Sequence, residues 1–121
     1  MKDSLNQWLS RRSRLSGVLA CGVRFPDKTS LTLSWSSEFA TLYLEDAWRC
    51  ASDAFQVLGV NAFPTERVRW IYEKVLLHCA CRKDGIYLGI FTPNDRGAAD
   101  PGEIERLIAE FCAMRVDAPR A

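Results

Sequence analysis

Residues 67–92 read RVRWIYEKVLLHCACRKDGIYLGIFT, and the positions of their apolar side chains decide the fold. The first apolar residues stand at even numbers, Val68, Trp70 and Tyr72. Those that follow stand at odd numbers, Val75, Leu77, Cys79 and Cys81. Because side chains alternate between the two faces of a strand, one straight strand cannot bury both sets on the same face. The pattern therefore predicts two strands separated by a turn at Glu73-Lys74.

A second turn is predicted at Lys83-Asp84-Gly85, because Asp-Gly is a typical hairpin dipeptide. Apolar residues at alternate positions resume directly after it, at Ile86, Leu88 and Ile90. Three strands joined by two tight turns form an antiparallel meander.

The residues before this meander predict a helix followed by a hairpin. Residues 3–14 place apolar side chains at helical spacing and finish in arginines, which suit the C-terminal end of a helix dipole. Residues 17–25 and 30–35 are predicted as two strands around the turn from Pro26 to Thr29. The second of these strands alternates between apolar and polar residues, which indicates that one of its faces is buried.

Two further helices complete the pattern. The longest is predicted over residues 42–58, with an apolar stripe at helical spacing that consists of Leu44, Ala47, Trp48, Ala51, Ala54, Phe55 and Leu58. The last helix begins at Asp100-Pro101-Gly102-Glu103, which combines an N-cap, a proline in the first turn and a carboxylate three residues after the cap. Residues 116–121 are expected to form a frayed tail.

The order of elements is helix, two strands, helix, three strands, helix, and this order predicts an α+β fold. We expect a five-stranded antiparallel sheet with helices on its faces. A single domain is predicted over residues 1–121, with its core at 3–114 and a tail at 115–121. A chain of 121 residues can bury enough apolar surface for such a core without disulfides or metal ions.

The charge balance argues against nucleic acid and membranes as partners. A formal net charge of +1 gives no broad field that would attract nucleic acid or anionic lipid. One alternative is a basic stacking surface in which tryptophans lie among six arginines, Arg11, Arg12, Arg14, Arg24, Arg67 and Arg69. Three of these arginines finish a helix, which explains them without a ligand. No run approaches the ~20 apolar residues of a membrane span.

The five cysteines are scattered over predicted strands and helices. This scatter argues against a secreted disulfide framework and favours a reducing, cytoplasmic location. Export is the alternative, since residues 10–21, SRRSRLSGVLAC, loosely match a lipoprotein signal. The apolar run of that segment is shorter than the roughly 7 to 15 residues of a signal core.

His78-Cys79-Ala80-Cys81 is the one cluster that carries metal-ligating or redox residue types. On a strand the two cysteines share a face while His78 points to the other, so the three cannot meet at one ion. His78 is the only histidine and turns away from Cys79, so no nucleophile-base pair is visible. The glycines form no phosphate loop. We predict no metal, no cofactor and no enzymatic activity, with the role of the cluster left open.

The aromatic residues exceed what a modest core requires; placement in the core is the first interpretation of each, and a role as an interface anchor is the alternative. The candidate dimer or partner contacts are Trp48 and Phe55 on the long helix, together with Arg67, Val68, Arg69, Trp70 and Tyr72 around the third strand. An edge strand with these apolar residues and no proline promotes association unless something covers it. We therefore predict a homodimer.

Three phrases, GVLACGVRFPD, VRWIYE and CRKDGIYLGIF, together with the order of elements, resemble the Roadblock family of dynein-light-chain-like domains. The resemblance covers residues 3 to about 114. It implies a Roadblock/profilin-like sandwich without catalysis, whose subunits join their sheets across an edge and pair their central helices. It also implies the class of partner, which is a small GTPase, a motor complex or another signalling protein.

Two other classes of function stay open. A dimeric chaperone of a bacterial secretion effector has a similar size and mix of elements, but such chaperones are typically acidic, whereas the isoelectric point here is near 7.6. A small thiol-dependent enzyme ranks third, because it would have to use the cluster at residues 78–81.

Overall fold

A computed structural model describes residues 2–12, 17–35, 39–60, 67–95 and 100–114. Its three helices are α1 (Lys2–Arg12), α2 (Thr41–Val60) and α3 (Pro101–Ala113). Its five strands are β1 (Ala20–Arg24), β2 (Ser30–Ser34), β3 (Arg67–Ile71), β4 (Val75–Cys81) and β5 (Tyr87–Pro93). The predicted order of elements and the α+β class are confirmed. The predicted tail and Arg14 lie outside the described residues.

The five strands form one antiparallel sheet in the order β2-β1-β5-β4-β3. The predicted meander is therefore confirmed, and β5 lies at the centre of the sheet. Its first turn is closed by the Tyr72 N–H, which donates to the Val75 carbonyl at 2.9 Å. Its second turn is closed by the Arg82 N–H and the Ile86 carbonyl, also 2.9 Å apart, and Gly85 there has a left-handed φ of 87°.

The first hairpin is shorter than the sequence predicts. Strand β1 begins three residues later and ends one residue earlier than predicted, and β2 ends one residue earlier. At the turn, the Phe25 N–H donates to the Thr29 carbonyl at 2.8 Å. Lys28 adopts a left-handed φ of 73° in this turn. The Asp27 carboxylate accepts hydrogen bonds from the backbone and hydroxyl of Thr29, at 3.0 and 2.6 Å, and so holds the tight geometry.

Helices cover both faces of the sheet and divide the core into two parts. On one face, here called the α1/α3 face, the largest fully buried side chains are Leu5, Leu9, Val23, Ile86, Leu88, Ile90, Leu107 and Phe111. On the other, the α2 face, the buried residues are Ala20, Leu44, Trp48, Ala51, Phe55, Leu77, Cys79 and Phe91. The odd and even positions of β4 therefore serve different cores, as alternation requires.

Specific polar contacts fix α3 and α1. The Asp100 carboxylate accepts the Gly102 N–H at 2.9 Å, so the predicted N-cap is confirmed. The Glu110 carboxylate accepts two hydrogen bonds from Arg12, both at 2.8 Å, and a third from the Trp8 indole at 3.1 Å. These charge-assisted bonds join α1 to α3, which lie side by side on the same face of the sheet. No helix among the described residues is long and apolar enough to cross a bilayer.

Candidate functional site

Among the described residues, strand β3 forms one edge of the sheet, with hydrogen bonds to β4 on one side only. Since Tyr72 exchanges a backbone bond with Val75, the alternation of an antiparallel ladder directs Val68 and Trp70 toward β4 as well. The N–H and C=O groups of Arg67, Arg69 and Ile71 then point outward from the sheet. This edge contains no proline, and its outward groups are those that a further strand would bind.

A groove lies beside this edge, between β3 and the outer side of α2. We call it the α2/β3 groove; it has a volume of about 360 Å³, and its lining includes Tyr43, Ala47, Cys50, Ala54, Trp70 and Tyr72. The α2 members recur at helical spacing and continue to Val57, so they form a second apolar stripe on that helix. Tyr43 and Val57 at its two ends are 69% and 59% exposed.

The structure separates the apolar and aromatic interface residues that the sequence predicts into two groups. Val68 and Trp70 are half-buried beside the α2 core, and Tyr72 is 48% exposed. All three lie at the β3 edge, and Trp70 and Tyr72 also line the α2/β3 groove. Trp48 and Phe55 lie instead in the core of their own subunit, with exposures of 3% and 5%. They have no free surface to offer a partner, and the prediction for these two residues is corrected accordingly.

Trp48 is buried because it binds α2 to the sheet. Its indole lies over Gly22 and Gly89, and its N–H donates to the Thr32 hydroxyl at 3.1 Å. Its ring also packs against Phe91, with centroids 5.7 Å apart. These contacts fix the side of α2 that faces inward, and the second apolar stripe is left on the outside as a result.

A second groove lies on the α1/α3 face of the same edge, between β3 and α3. We call it the β3/α3 groove; it has a volume of about 310 Å³ and is lined in part by Arg67, Arg69, His78, Ile104, Glu105 and Ile108. Arg67 forms an ion pair with Glu105 at 2.8 Å. Arg69 stands directly opposite His78 in the β3–β4 ladder. This groove is therefore basic at its outer rim and apolar where α3 meets the sheet.

His78 is held at the base of this groove. Its Nε2 lies 3.1 Å from the hydroxyl of Thr92, which is almost completely buried. Burial lowers the pKa of His78, and the positive charge of Arg69 lowers it further, while Glu105 has the opposite effect. The imidazole is accordingly kept neutral near pH 7, beside an arginine.

The cysteines of the cluster lie on the other face, away from His78. Cys79 packs in the α2 core, and burial raises the pKa of its thiol to about 12. Burial also raises the pKa of the half-buried Cys81. Within the described residues, no group of three or more His, Cys, Asp or Glu side chains could hold a metal ion.

Sequence reasoning missed two features of this edge. The outer stripe of α2 is visible in the sequence as apolar or small residues at 43, 47, 50, 54 and 57. The sequence analysis assigned two of them, Ala47 and Ala54, to the same stripe as the residues that face the sheet. The pairing of Arg69 with His78 depends on the β3–β4 register. A short turn at residues 73–74 makes that register calculable, so the signal was present in the sequence.

The fold and its helix-flanked, open-edged sheet define the Roadblock/LC7 type of α+β sandwich. Among similar solved structures, MglB of Myxococcus xanthus superimposes with a TM-score of 0.69 at 10% identity, covering 88% of this chain and 87% of that one. The gliding protein MglB of Thermus thermophilus gives 0.67 at 13%, covering 88% and 82%. A Roadblock/LC7 domain of Streptomyces avermitilis gives 0.59 at 12%, covering 87% and 92%.

These likenesses establish the fold, and the Roadblock-type architecture implied by the sequence is confirmed. No protein-family model matches the chain, and no curated protein matches it in sequence.

Proposed function

We propose that this protein is a non-catalytic homodimer that serves as a platform for binding another protein. The open β3 edge next to the apolar α2/β3 groove is the observation that carries the proposal. An uncovered edge promotes pairing with another chain, and an exposed apolar stripe beside it supplies the buried area that strand pairing alone lacks.

A two-fold axis through Arg69 would pair the largest number of outward backbone groups. Arg69 would then face its own copy, and Arg67 would face Ile71 of the second subunit, giving a continuous ten-stranded sheet. On the α2 face, Val68 would meet Trp70 of the second copy. The small residues at the middle of the outer α2 stripe, Ala47, Cys50 and Ala54, would allow the two helices to pack closely.

The proposed partner class is a small GTPase or another signalling protein, acting in the cytoplasm. This rests on the Roadblock-type fold and on what the resemblance to that family implies. The proposed lack of enzymatic activity is supported by the surroundings of His78 and Cys79. The Cys79 thiol is buried with a raised pKa, and the hydroxyl nearest to His78 belongs to the buried Thr92. Neither group is placed to attack a substrate.

The dimer is tested by Trp70→Glu, with Trp35→Glu as the matched control. Trp35 is also partly exposed, at 40%, but it follows β2 at the far end of the sheet. Light scattering should give twice the subunit mass of 13.7 kDa for the wild type and for Trp35→Glu. Trp70→Glu should be monomeric, because its charge would lie unpaired in an apolar interface. A monomeric wild type at micromolar concentration would refute the dimer.

The helix contact is tested separately through Cys50. In a Cys112→Ser background, which removes the other exposed cysteine among the described residues, a short bis-maleimide reagent should link two subunits and should fail to do so once Cys50→Ser is added. If linkage persists at the same yield in Cys50→Ser, α2 does not lie at the subunit contact.

The partner class is tested by capture from the native cell, with the wild type and Trp70→Glu as baits and mass spectrometry as the readout. Recovery of a GTPase by the wild type alone would support the platform. Recovery of an unfolded effector segment would favour the chaperone alternative. Equal recovery by a folded, monomeric Trp70→Glu protein, checked by circular dichroism, would refute binding by the composite surface.

A further inference from the structure

We propose that the β3/α3 groove binds an acidic segment of a partner protein, with Arg69 as the principal contact. The groove opens on the α1/α3 face of the sheet, opposite to the α2/β3 groove, so it remains accessible when α2 is covered. Its volume of about 310 Å³ is large enough for a few side chains of an extended peptide.

The charge of Arg69 is not compensated within the described part of the chain. The one carboxylate that lines the groove, Glu105, is already paired with Arg67 at 2.8 Å. Arg69 makes no ion pair among the described residues, and the group directly across the ladder from it is another base, His78. Because His78 is neutral near pH 7, it neither opposes nor balances this charge, and a carboxylate bound beside Arg69 would balance it.

An acidic peptide fits this groove in both charge and shape. The Arg69 guanidinium can hold a carboxylate through two parallel hydrogen bonds, which a lysine could not do. The wall formed by Ile104 and Ile108 is apolar and suits a small apolar side chain next to the acidic one. With an overall net charge of only +1, selective binding of acidic peptide has to come from a local site and not from the field of the whole molecule.

In the proposed dimer the two copies of this site would lie side by side. Only the link between peptide binding and dimerisation rests on the proposed function. A two-fold axis through Arg69 places the two Arg69 side chains opposite each other on the same face of the joined sheet. Like charges directly opposite on neighbouring strands oppose pairing. An acidic segment that neutralises them would strengthen the dimer, because a ligand stabilises the state that binds it better. Partner binding and dimerisation would then be coupled.

The site is tested with a fluorescein-labelled peptide of alternating glutamate and alanine, and with the same peptide carrying glutamine in place of glutamate. Fluorescence anisotropy on the full chain should show binding of the glutamate peptide alone. Arg69→Gln should weaken it by about tenfold or more, since the bidentate contact is lost. Arg11→Gln removes the same charge from an exposed position at the end of α1, outside the groove, and should change affinity less than twofold.

Three anisotropy results would overturn the proposal: no binding at millimolar peptide, equal binding of both peptides, or equal losses in Arg69→Gln and Arg11→Gln. Circular dichroism of each variant shows that the fold is kept. As a second readout, the His78 ring resonances should shift when the glutamate peptide is added. Unchanged His78 resonances under saturating peptide would place the site elsewhere and also overturn the proposal.

Sedimentation of the same samples separates this proposal from the dimer. A monomer that binds the peptide through Arg69 would support the groove and refute the dimer. A dimer that ignores the peptide would do the reverse. If the protein both dimerises and binds the peptide through Arg69, the dimer dissociation constant should fall when the peptide is present. This change should be absent in Arg69→Gln.

Discussion

Gly89 lies directly opposite Gly22 in the β1–β5 ladder, and the two together form the flat site on which the Trp48 indole rests. A Cβ atom at Gly89 would be 2.3 Å from Cζ3 of Trp48, and one at Gly22 would be 2.3 Å from its Nε1. Only residues without a side chain allow the indole to come so close. This pair therefore sets the distance of α2 from the sheet and, through it, the position of the α2/β3 groove.

We expect Gly89→Ala to lower the free energy of unfolding by about 1 to 3 kcal/mol, because the added methyl group overpacks against the indole. Urea unfolding followed by circular dichroism measures this. The cause is tested with a Trp48→Leu background, in which Gly89→Ala should cost distinctly less. The same loss in both backgrounds would show that the indole is not what the methyl group meets.

The pH dependence of stability between pH 7 and 5 should belong mainly to His78, the only histidine in the chain. Its folded-state pKa lies below the ordinary 6.5, first through burial and then through Arg69. The unfolded chain then binds more protons, so stability is complete above about pH 6.5 and falls as the pH decreases through that value. Urea unfolding at a series of pH values should show this loss for the wild type and little of it for His78→Gln.

The role of Arg69 in this shift can be measured on its own. We expect the His78 pKa to rise in Arg69→Gln, because one of the two causes that lower it has been removed. An NMR titration of the ring protons gives the value in each protein. Identical titration curves would show that the two side chains do not interact across the β3–β4 ladder.

The thiols should differ strongly in reactivity. Cys50 and Cys112 are exposed, whereas Cys79 is buried with a pKa raised to about 12, so its thiolate is scarce at neutral pH. We expect a maleimide at pH 7 to label Cys50 and Cys112 of the folded protein within minutes and Cys79 only after unfolding. Peptide mapping by mass spectrometry identifies the labelled positions, and rapid labelling of Cys79 would contradict its burial.

Most of the architecture follows from short-range rules that the sequence displays. The change of parity between Trp70 and Leu77, the Asp84-Gly85 turn and the Asp100 cap are each set by a few neighbouring residues, and each is found where it was predicted. Local preferences of this kind agree with the global fold in natural sequences, so they can be read from short segments. Once these elements are placed, few topologies remain that give short connections without crossings, and the observed strand order with helices on both faces of the sheet is one of them.

The candidate site was harder to predict because its residues are assigned by tertiary contacts. Helix α2 carries apolar or small residues on two stripes, and periodicity alone cannot decide which of them faces the sheet. The glycine pair opposite Trp48 decides it, and it comes from strands that are distant in sequence. Trp48 and Phe55 were named as candidate partner contacts because of the surplus of aromatic residues, although they fill the core.

Arg82 supplies the last test, because it caps α3 from outside the helix. Its Nη1 donates to the Phe111 carbonyl at 2.6 Å, and its guanidinium lies 5.5 Å from the Phe111 ring centroid. Its Nε and Nη2 donate to the two carboxylate oxygens of Asp84, at 3.2 and 3.1 Å. One planar group thus satisfies a carbonyl at the end of α3 and fixes the β4–β5 turn.

We expect Arg82→Ala to lower the free energy of unfolding by about 1 to 3 kcal/mol, since a charged hydrogen bond is lost and the Phe111 carbonyl keeps only the longer bond from the Met114 N–H, at 3.3 Å. Arg82→Lys should recover only part of this, because an ammonium cannot reach both groups in the same plane. Arg106→Ala is the matched control, as its ion pair with Glu103 is exposed on α3 and should be worth less than about 1 kcal/mol. Urea unfolding of the three variants measures these losses. If Arg106→Ala lowers the free energy of unfolding as much as Arg82→Ala does, the contacts of Arg82 with Phe111 and Asp84 contribute no more than a surface ion pair.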